Sequence, residues 1–475
     1  MKLPTILFIF STSLVIASVY LYAEILWIML FAYAMLGSWV AIILVARMYL
    51  YSCILMGFHV AMAYFFGWVF INYALVQPER AFVFSVFTQN NLQLATVTML
   101  ASSVVVLVSF LLLVGRQENL FRQSTQQVMH LLLGRLDAMS NRFFEILLLT
   151  SFLISILFFA TNTSILEVPY PFQSKSHWIP SEALKIPTFL AAFALMLAYV
   201  WRGQKRRGSR SRILLARLNF LIVTLFMLFL IGSRGLFTFL WLAVGIVELF
   251  FWHRRRGSLG WTVVFFLLTW YAYTVWPYLR WSIASTPIGE VFSESLAMGF
   301  GIGSSAAGSY PENDQIRLND FHMIGQSLFH MLYVIQLIQD GVSLGGDTFV
   351  NLIKQLLPGF LDGVIWGRPL NDNLRLEEYY YHGGGFLVVA NAYWNGGFWV
   401  AMIFMTIFSS VFVLLDRYSV SPRAGVLYRL GYWLWMPVFV VQLGYGIQGI
   451  ARVAELLVAL MIVERIIRAY KARSV

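Results

Sequence analysis

The sequence contains repeated runs of apolar residues that match the thickness of a bilayer. A helix needs about 20 consecutive, mostly apolar residues to cross a membrane. Runs of this kind give twelve candidate spans, near 4–22, 25–46, 50–74, 92–115, 144–161, 184–201, 213–231, 236–252, 260–279, 386–415, 425–444 and 453–464. Only 12% of the 475 residues are charged and 60% are hydrophobic, which excludes a soluble enzyme, a nucleic-acid-binding domain and a disordered protein. The predicted fold class is an all-α polytopic integral membrane protein.

The basic residues predict how these spans are oriented. Lys and Arg are enriched on the cytoplasmic side of membrane proteins. With twelve spans and both termini in the cytoplasm, 23 of the 33 basic residues fall on that side. We therefore predict an N-in, C-in protein whose net charge of +11 reflects topology rather than a nucleic-acid partner. The single cysteine, Cys53, excludes an intramolecular disulfide and a cysteine metal site.

One long stretch interrupts the series of spans. Residues 281–385 carry eleven acidic and four basic side chains, a net charge of −7, and a loop of this length is usually functional. We therefore divide the chain into a nine-helix region at 1–280, a large extracytoplasmic loop at 281–385 and a three-helix region at 386–475. Within the loop, apolar periodicity predicts helices at 321–339 and 348–357.

The first of these loop helices carries a polar stripe. His322, Gln326 and His330 recur at every fourth residue and therefore lie on one side of the helix. Two interpretations are open. The stripe is either a surface that contacts a glycan, which is our hypothesis for His322 and His330, or the solvated face of a surface helix.

Four arginines lie on the predicted extracytoplasmic side of the membrane, where few basic residues are expected. An ionisable side chain in or at the mouth of a span is costly and usually faces a cavity or a partner. One such arginine can simply extend to the lipid headgroups. Four together favour a shared anionic ligand, and the guanidinium fork suits a phosphate or diphosphate. They are Arg234 in a G-S-R-G turn, Arg280 after span nine, Arg368 in W-G-R-P-L and Arg452 near the start of span twelve.

A second cluster of candidate residues occupies 377–399, with the sequence EEYYYHGGGFLVVANAYWNGGFW. His382 can act as a base near neutral pH, and Glu377 or Glu378 can orient it or replace it. Aromatic rings offer flat apolar faces and asparagines offer amide donors and acceptors, a combination that suits sugars. The tyrosines alone fit an aromatic belt at the membrane interface equally well. The sugar-binding candidates are Asn391, Tyr393 and Asn395.

Together, these motifs resemble a known family. A chain with about a dozen spans and one dominant periplasmic loop before the last spans resembles the Wzy-type polymerases. These enzymes join oligosaccharide repeat units in bacterial O-antigen, common-antigen and exopolysaccharide assembly. The resemblance covers the whole architecture. The residues that carry it are G-S-R-G at 232–235, Q-L-L-P-G-F-L-D-G-V-I-W-G-R-P at 355–369, His382-Gly383, A-N-A-Y-W-N-G-G at 390–397 and Arg452.

The resemblance implies a multi-pass glycosyltransferase of the bacterial inner membrane that acts on its periplasmic face. A glycan on undecaprenyl diphosphate would be transferred to a sugar hydroxyl of an incoming lipid-linked repeat unit. The four arginines would bind the diphosphate, Arg234 would also stabilise the leaving group's charge, and His382 with Glu378 would activate the acceptor hydroxyl. Because arginines can stabilise this charge alone, we expect no metal and no other cofactor. The implied partners are the lipid-linked oligosaccharide, the bilayer, and a chain-length regulator and flippase of the same pathway.

Two other functions remain open from the sequence. An O-antigen ligase would use the same donor but transfer the glycan to lipid A–core. A twelve-span transporter or flippase of lipid-linked sugars would be expected to show internal repeats and charged or broken helices at the midplane. The two halves of this chain show no repeat, and the arginines lie at the predicted outer mouth instead.

Overall fold

A computed structural model of the chain describes residues 3–47, 53–70, 87–114, 191–197, 256–274, 322–354, 387–421, 423–443 and 446–473, with shorter pieces within 145–153 and 211–248. The regular structure in these residues is entirely helical. Its elements are α1 (Leu3–Tyr20), α2 (Ile25–Arg47), a π-helix (Cys53–Gly57), α3 (Phe58–Phe70), α4 (Gln89–Val114), α5 (Arg256–Thr274), α6 (His322–Gln339), α7 (Asp347–Lys354), α8 (Val388–Trp394), α9 (Gly397–Val420), α10 (Val426–Gln442) and α11 (Gly446–Arg473).

Four helices in the described part of the chain are long and apolar enough to cross a bilayer. They cover Leu3–Tyr20, Ile25–Ile43, Gln89–Leu113 and Gly397–Ser419. These residues confirm the prediction of an all-helical protein with helices suited to crossing a membrane. The predicted region boundaries, at 280/281 and 385/386, lie outside the described residues.

The described residues divide into two compact units. Those of the first lie within Met1–Thr125, Asp314–Gly425 and Phe439–Val475, and those of the second within Gln126–Asn313 and Val426–Val438. The first unit therefore joins N-terminal and C-terminal helices to helices from the predicted loop.

In the first unit, the N-terminal helices alternate in direction. The helices α1 and α2 pack against each other across a tight turn. Trp27, near the start of α2, meets Phe70, at the end of α3, with ring centroids 6.2 Å apart. Tyr33 stacks on Phe66 at 3.8 Å, and its hydroxyl donates a hydrogen bond of 2.8 Å to the carbonyl oxygen of His59. These contacts make α2 and α3 antiparallel.

The helix α9 packs along α4 and has two different faces. One face exposes large hydrophobic side chains at every third or fourth residue: Trp399, Ile403, Ile407, Val411 and Leu414. The opposite face is buried: Ala401, Met405, Phe408, Phe412 and Asp416. This is the pattern of a helix with one face toward lipid and the other toward the protein.

The end of α9 lies beside the start of α3. The buried carboxylate of Asp416 accepts a hydrogen bond from the backbone amide of Ile54, with a nitrogen–oxygen distance of 3.4 Å. Ile54 belongs to the first turn of the π-helix, whose leading amides have no acceptor within the helix. Asp416 therefore supplies an acceptor from a helix that is 362 residues away in the chain.

The region predicted as the tenth span holds two helices, so the prediction of one helix through 386–415 is wrong. The helix α8 ends at Trp394, and α9 begins at Gly397 after a break of two residues. Gly397 has a φ of +78°, a left-handed backbone that glycine adopts without steric cost. The span then continues to residue 420, beyond its predicted end.

The second unit contains a buried ion pair between two helical segments. The guanidinium of Arg217 donates two hydrogen bonds of 2.8 Å to the carboxylate of Glu248, and both side chains are buried. The guanidinium carbon also lies 5.5 Å from the ring centroid of Trp261 in α5. The indole N–H of Trp241 donates to the hydroxyl of Thr224 at 2.8 Å. Positions 217 and 224 are seven apart, as are 241 and 248, so both contacts fit one antiparallel register two helical turns long.

Removing one partner of this ion pair should destabilise the protein strongly. Glu248→Leu leaves the Arg217 guanidinium buried without its counter-charge, at a cost of about 3–5 kcal/mol. We expect a lower thermal unfolding midpoint for the full chain in detergent micelles. The double variant Arg217→Met with Glu248→Leu contains neither charge and should recover most of that loss. A double variant that is as unstable as Glu248→Leu would contradict this account.

Candidate functional site

Most of the predicted catalytic and diphosphate-binding residues lie outside the described residues: Arg234, Arg280, Arg368, Glu378 and His382. The backbone of Arg452 lies in the second turn of α11, and His322 is the first residue of α6. Their side chains are not among those described. Four predicted sugar-binding residues are described in full, namely His330, Asn391, Tyr393 and Asn395.

The predicted loop helices are confirmed, but α6 is not a surface helix. It packs against α3, α4 and α8. Its C-terminal half buries a broad apolar face: Leu328, Met331, Leu332, Val334 and Ile335. His330 lies among these residues and is only 2% exposed. The interpretation of the polar stripe as a solvated face is therefore wrong at His330, because α6 is covered by three other helices.

The end of α6 is joined to the start of α4 by side-chain amides. Asn91 is buried and donates to the side-chain oxygen of Gln336 at 3.0 Å, while its own oxygen accepts from Gln339 at 3.1 Å. Gln336 in turn donates to Asp340 at 3.0 Å. On the same helix, burial raises the pKa of the Tyr333 hydroxyl above its ordinary value. Sequence reasoning missed this cluster, although glutamines at 336 and 339 lie one helical turn apart.

Asn395 fixes the start of α7. Its side-chain oxygen accepts from the backbone amide of Thr348 at 3.3 Å, and its side-chain nitrogen donates to the Thr348 hydroxyl at 2.8 Å. The same nitrogen donates to the carbonyl oxygen of Asn391, also at 2.8 Å. Asn395 and Thr348 are both buried. Asn395 therefore caps the start of α7 although it lies 47 residues away from Thr348 in the chain.

Asn391 fixes the start of α11 in the same way. Its side-chain oxygen accepts from the backbone amide of Ile447 at 3.1 Å, and the residue is 1% exposed. Three residues earlier, the amide of Val388 donates to the carbonyl oxygen of Leu443 at 2.8 Å. The helix α8 is thus bonded to the segment that joins α10 to α11.

The other end of α8 is bonded to the connection between α6 and α7. The carbonyl oxygen of Trp394 accepts from the amide of Leu344 and from the hydroxyl of Ser343, both at 3.1 Å. The indole N–H of Trp394 donates to the carbonyl oxygen of Val342 at 3.2 Å. Tyr393 beside it is buried, so its ring is covered by protein in this structure.

These contacts define what we call the α8 junction: residues 330, 443, 446 and 447 with the segments 342–348 and 387–395. It brings together four of the five predicted sugar-binding residues, and His330, Asn391 and Asn395 each form a side-chain hydrogen bond to another segment of the chain. Their role in binding a glycan stays a prediction. In the described part of the chain, no three His, Cys, Asp or Glu side chains are grouped so as to hold a metal ion.

Comparisons of the chain with models of known protein families, with curated proteins and with solved structures find no match. The resemblance to Wzy-type polymerases therefore rests on the sequence motifs quoted above.

Several buried ionisable residues in the described part of the chain were missed from the sequence, among them Arg217, Glu248 and Asp416. Glu248 lies inside the predicted eighth span, where an acidic residue usually indicates a partner. An acidic residue in this span predicts a basic partner nearby, and Arg217 lies in the preceding predicted span. Asp416 was assigned to a cytoplasmic loop, whereas it is a buried residue of α9.

The bonds between Asn395 and Thr348 should be energetically coupled. Asn395→Ala leaves a buried amide and hydroxyl of Thr348 without these partners, which should cost about 1–3 kcal/mol. Thr348→Val removes only the hydroxyl, at a cost of about 1 kcal/mol. Because the two residues are in contact, the double variant should lose less than the sum of the single losses. The measurement is thermal unfolding of the full chain in detergent.

Thr406→Val is the matched control for this experiment. The Thr406 hydroxyl is exposed and bonds only within its own helix, to the carbonyl oxygen of Met402 at 2.9 Å. Its loss should change stability by less than about 0.5 kcal/mol. Strictly additive losses for Asn395→Ala and Thr348→Val would show that the bonds do not contribute as described.

Proposed function

We propose that this protein is a polymerase of surface polysaccharide synthesis. It joins undecaprenyl-diphosphate-linked oligosaccharide repeat units on the periplasmic face of the bacterial inner membrane. The proposal includes twelve spans with both termini in the cytoplasm. It rests on the sequence motifs, on the position of the outer arginines and on the all-helical membrane architecture.

The observation that carries the proposal is the burial of loop helices against predicted spans. A transferase with a membrane-anchored donor must fix a base from its loop relative to arginines at its span ends. The start of α8, Leu387, lies five residues after His382 in the sequence, and Ile447 lies five residues before Arg452. Asn391 of α8 bonds directly to Ile447. The α8 junction thus connects the chain near the predicted base to the helix that bears a predicted diphosphate ligand.

The directions of the helices in the first unit support the proposed topology. The start of α3 and the end of α9 lie together, through Ile54 and Asp416. Gly425, just after α9, lies so close to the carboxylate of Glu464 in α11 that no side chain would fit there. Since α1, α2 and α3 alternate in direction, the start of α1 and the end of α11 are at the same end of this unit, as an even number of spans requires.

The proposed chemistry needs only side chains of this protein. The bond that breaks joins the anomeric carbon to the lipid diphosphate, and arginines can stabilise the charge that develops on this leaving group. The bond that forms joins the same carbon to an acceptor hydroxyl, whose proton is taken by His382 or Glu378. A water-poor cavity at the membrane boundary would strengthen both interactions.

Arg234→Ala and His382→Ala should both abolish most polymerisation. The substrate is the lipid-linked repeat unit extracted from a strain that lacks this gene, and the product is followed as a ladder of longer lipid-linked glycans made by purified protein in liposomes. Loss of a donor that stabilises the leaving group should slow turnover about 100- to 1,000-fold. Loss of the base should slow it about 100- to 10,000-fold. Arg206→Ala, which removes a cytoplasmic arginine, is the control and should remain active.

The same deletion strain separates polymerase from ligase. A polymerase deletion accumulates single repeat units on their final acceptor, whereas a ligase deletion accumulates long chains that remain unattached. Undiminished turnover of both alanine variants would contradict the assigned residues, and unattached long chains in the deletion strain would contradict polymerisation.

Cysteine labelling should confirm the proposed orientation. Cys53 is the single cysteine, so Cys53→Ala gives a cysteine-free chain in which new cysteines report their own exposure. Asp340 and Arg423 are both exposed and lie on opposite sides of the membrane in the proposed topology. A membrane-impermeant maleimide added to spheroplasts should label Asp340→Cys and not Arg423→Cys. After the membrane is opened with detergent, both should react, and the reverse pattern in intact spheroplasts would contradict N-in, C-in.

A further inference from the structure

The helix α8 begins without a cap of its own. Its N-cap residue is Leu387, which has no side-chain acceptor, and no side-chain hydrogen bond is formed there. The backbone amide of Leu387 donates instead to Nδ1 of His330, with a nitrogen–nitrogen distance of 3.3 Å. The next amide, that of Val388, donates to the carbonyl oxygen of Leu443. Both leading amides of α8 are therefore satisfied from other segments, as buried amides must be.

The hydrogen bond from the Leu387 amide to His330 defines which imidazole nitrogen carries the proton. A nitrogen that accepts a hydrogen bond carries no proton, so the proton of the neutral ring lies on Nε2. His330 is held between the apolar neighbours of α6 and is 2% exposed. Its ring is therefore oriented with Nδ1 directed at the start of α8.

His330 begins a chain of contacts through the α8 junction. It holds the start of α8, Asn391 of α8 holds the start of α11, and Asn395 holds the start of α7. In each of these three contacts, a side chain accepts a hydrogen bond from the backbone amide of a buried residue at a helix start: Leu387, Ile447 or Thr348. Any displacement of α8 would change the other two contacts.

We propose that His330 is a positioning residue of the polymerase, acting through Nδ1 on the start of α8 rather than through a direct contact with the glycan. This inference rests on the proposed function, since it takes His382 and Arg452 as the groups whose positions matter. Leu387 follows His382 by five positions in the sequence, and Arg452 follows Ile447 by five positions on α11. By holding Leu387, and through Asn391 the start of α11, His330 fixes the starts of the two helices to which these groups are joined in the chain.

Two amide substitutions separate this role from glycan binding. An asparagine at position 330 places its side-chain oxygen near the position of Nδ1, whereas a glutamine places its amide near Nε2. Leucine fills the space with neither acceptor. If His330 acts through Nδ1, His330→Asn should retain activity within about threefold of wild type. His330→Gln and His330→Leu should lose about 100-fold in kcat, as expected for a displacement of about 1 Å, with little change in KM for the extracted lipid-linked repeat unit.

Hydrogen exchange of the full-length protein in detergent provides a second readout that does not need activity. In His330→Gln and His330→Leu, peptides that cover residues 385–394 should exchange faster than in wild type. Peptides from residues 97–110 of α4 should be unchanged and so control for general unfolding. His330→Asn should show the wild-type pattern in both regions.

Several results would overturn the inference. They are retention of activity in His330→Gln, equal activity or equal loss in all three variants, a loss carried mainly by KM, and unchanged exchange over 385–394 in the glutamine and leucine variants. Failure of the proposed function would look different. Wild-type protein would then form no polymer, while the exchange pattern would still report whether Nδ1 holds the start of α8.

Discussion

The first turn of every helix has amides without acceptors in that helix, and a buried helix start must obtain them elsewhere. Among the described helices, three have a buried residue at their start whose amide needs such an acceptor: Leu387 for α8, Ile447 for α11 and Thr348 for α7. Their acceptors are side chains from other segments: His330 for α8, Asn391 for α11 and Asn395 for α7. The arrangement of the first unit depends on this requirement, because it ties two loop helices to the last predicted span. A helix of seven residues thereby becomes the common neighbour of elements that lie far apart in the chain.

Other buried polar groups in the described residues form bonds of two further kinds. Hydroxyls within α4 bond to carbonyl oxygens of their own helix, as Thr96 does with Leu92 and Ser103 with Met99, so these positions need no partner helix. The buried charge of Arg217 is instead paired with Glu248 in another helical segment. Local bonds leave a helix free to face different neighbours. Paired charges and amide caps specify which helices must meet, and at which register.

What could be predicted from the sequence follows from how local each feature is. Apolar runs predicted α1, α2 and α4 to within a few residues, because crossing a membrane is a property of one segment. The break before α9 was not included in the predicted span, although Asn395-Gly396-Gly397 is a local turn signal. What no local pattern reveals is the partner of Asn395, which is Thr348. The burial of His330 likewise depends on three helices that cover α6. The outer arginines were selected by combining charge with topology, and Arg452 alone among them lies on a described helix.

The spacing of the two asparagines constrains how this region of the chain can vary. Asn391 and Asn395 are one helical turn apart, so their side chains leave α8 in nearly the same direction, toward the starts of α11 and α7. One inserted residue between them would rotate one relative to the other by about 100°. Exchanging an apolar residue of α8 for another of similar volume preserves both caps. An insertion or deletion between the two asparagines disrupts at least one of them. The length of α8 is thus more constrained than its composition. Related chains that share the α8 junction should show substitutions within this helix before they show insertions or deletions in it.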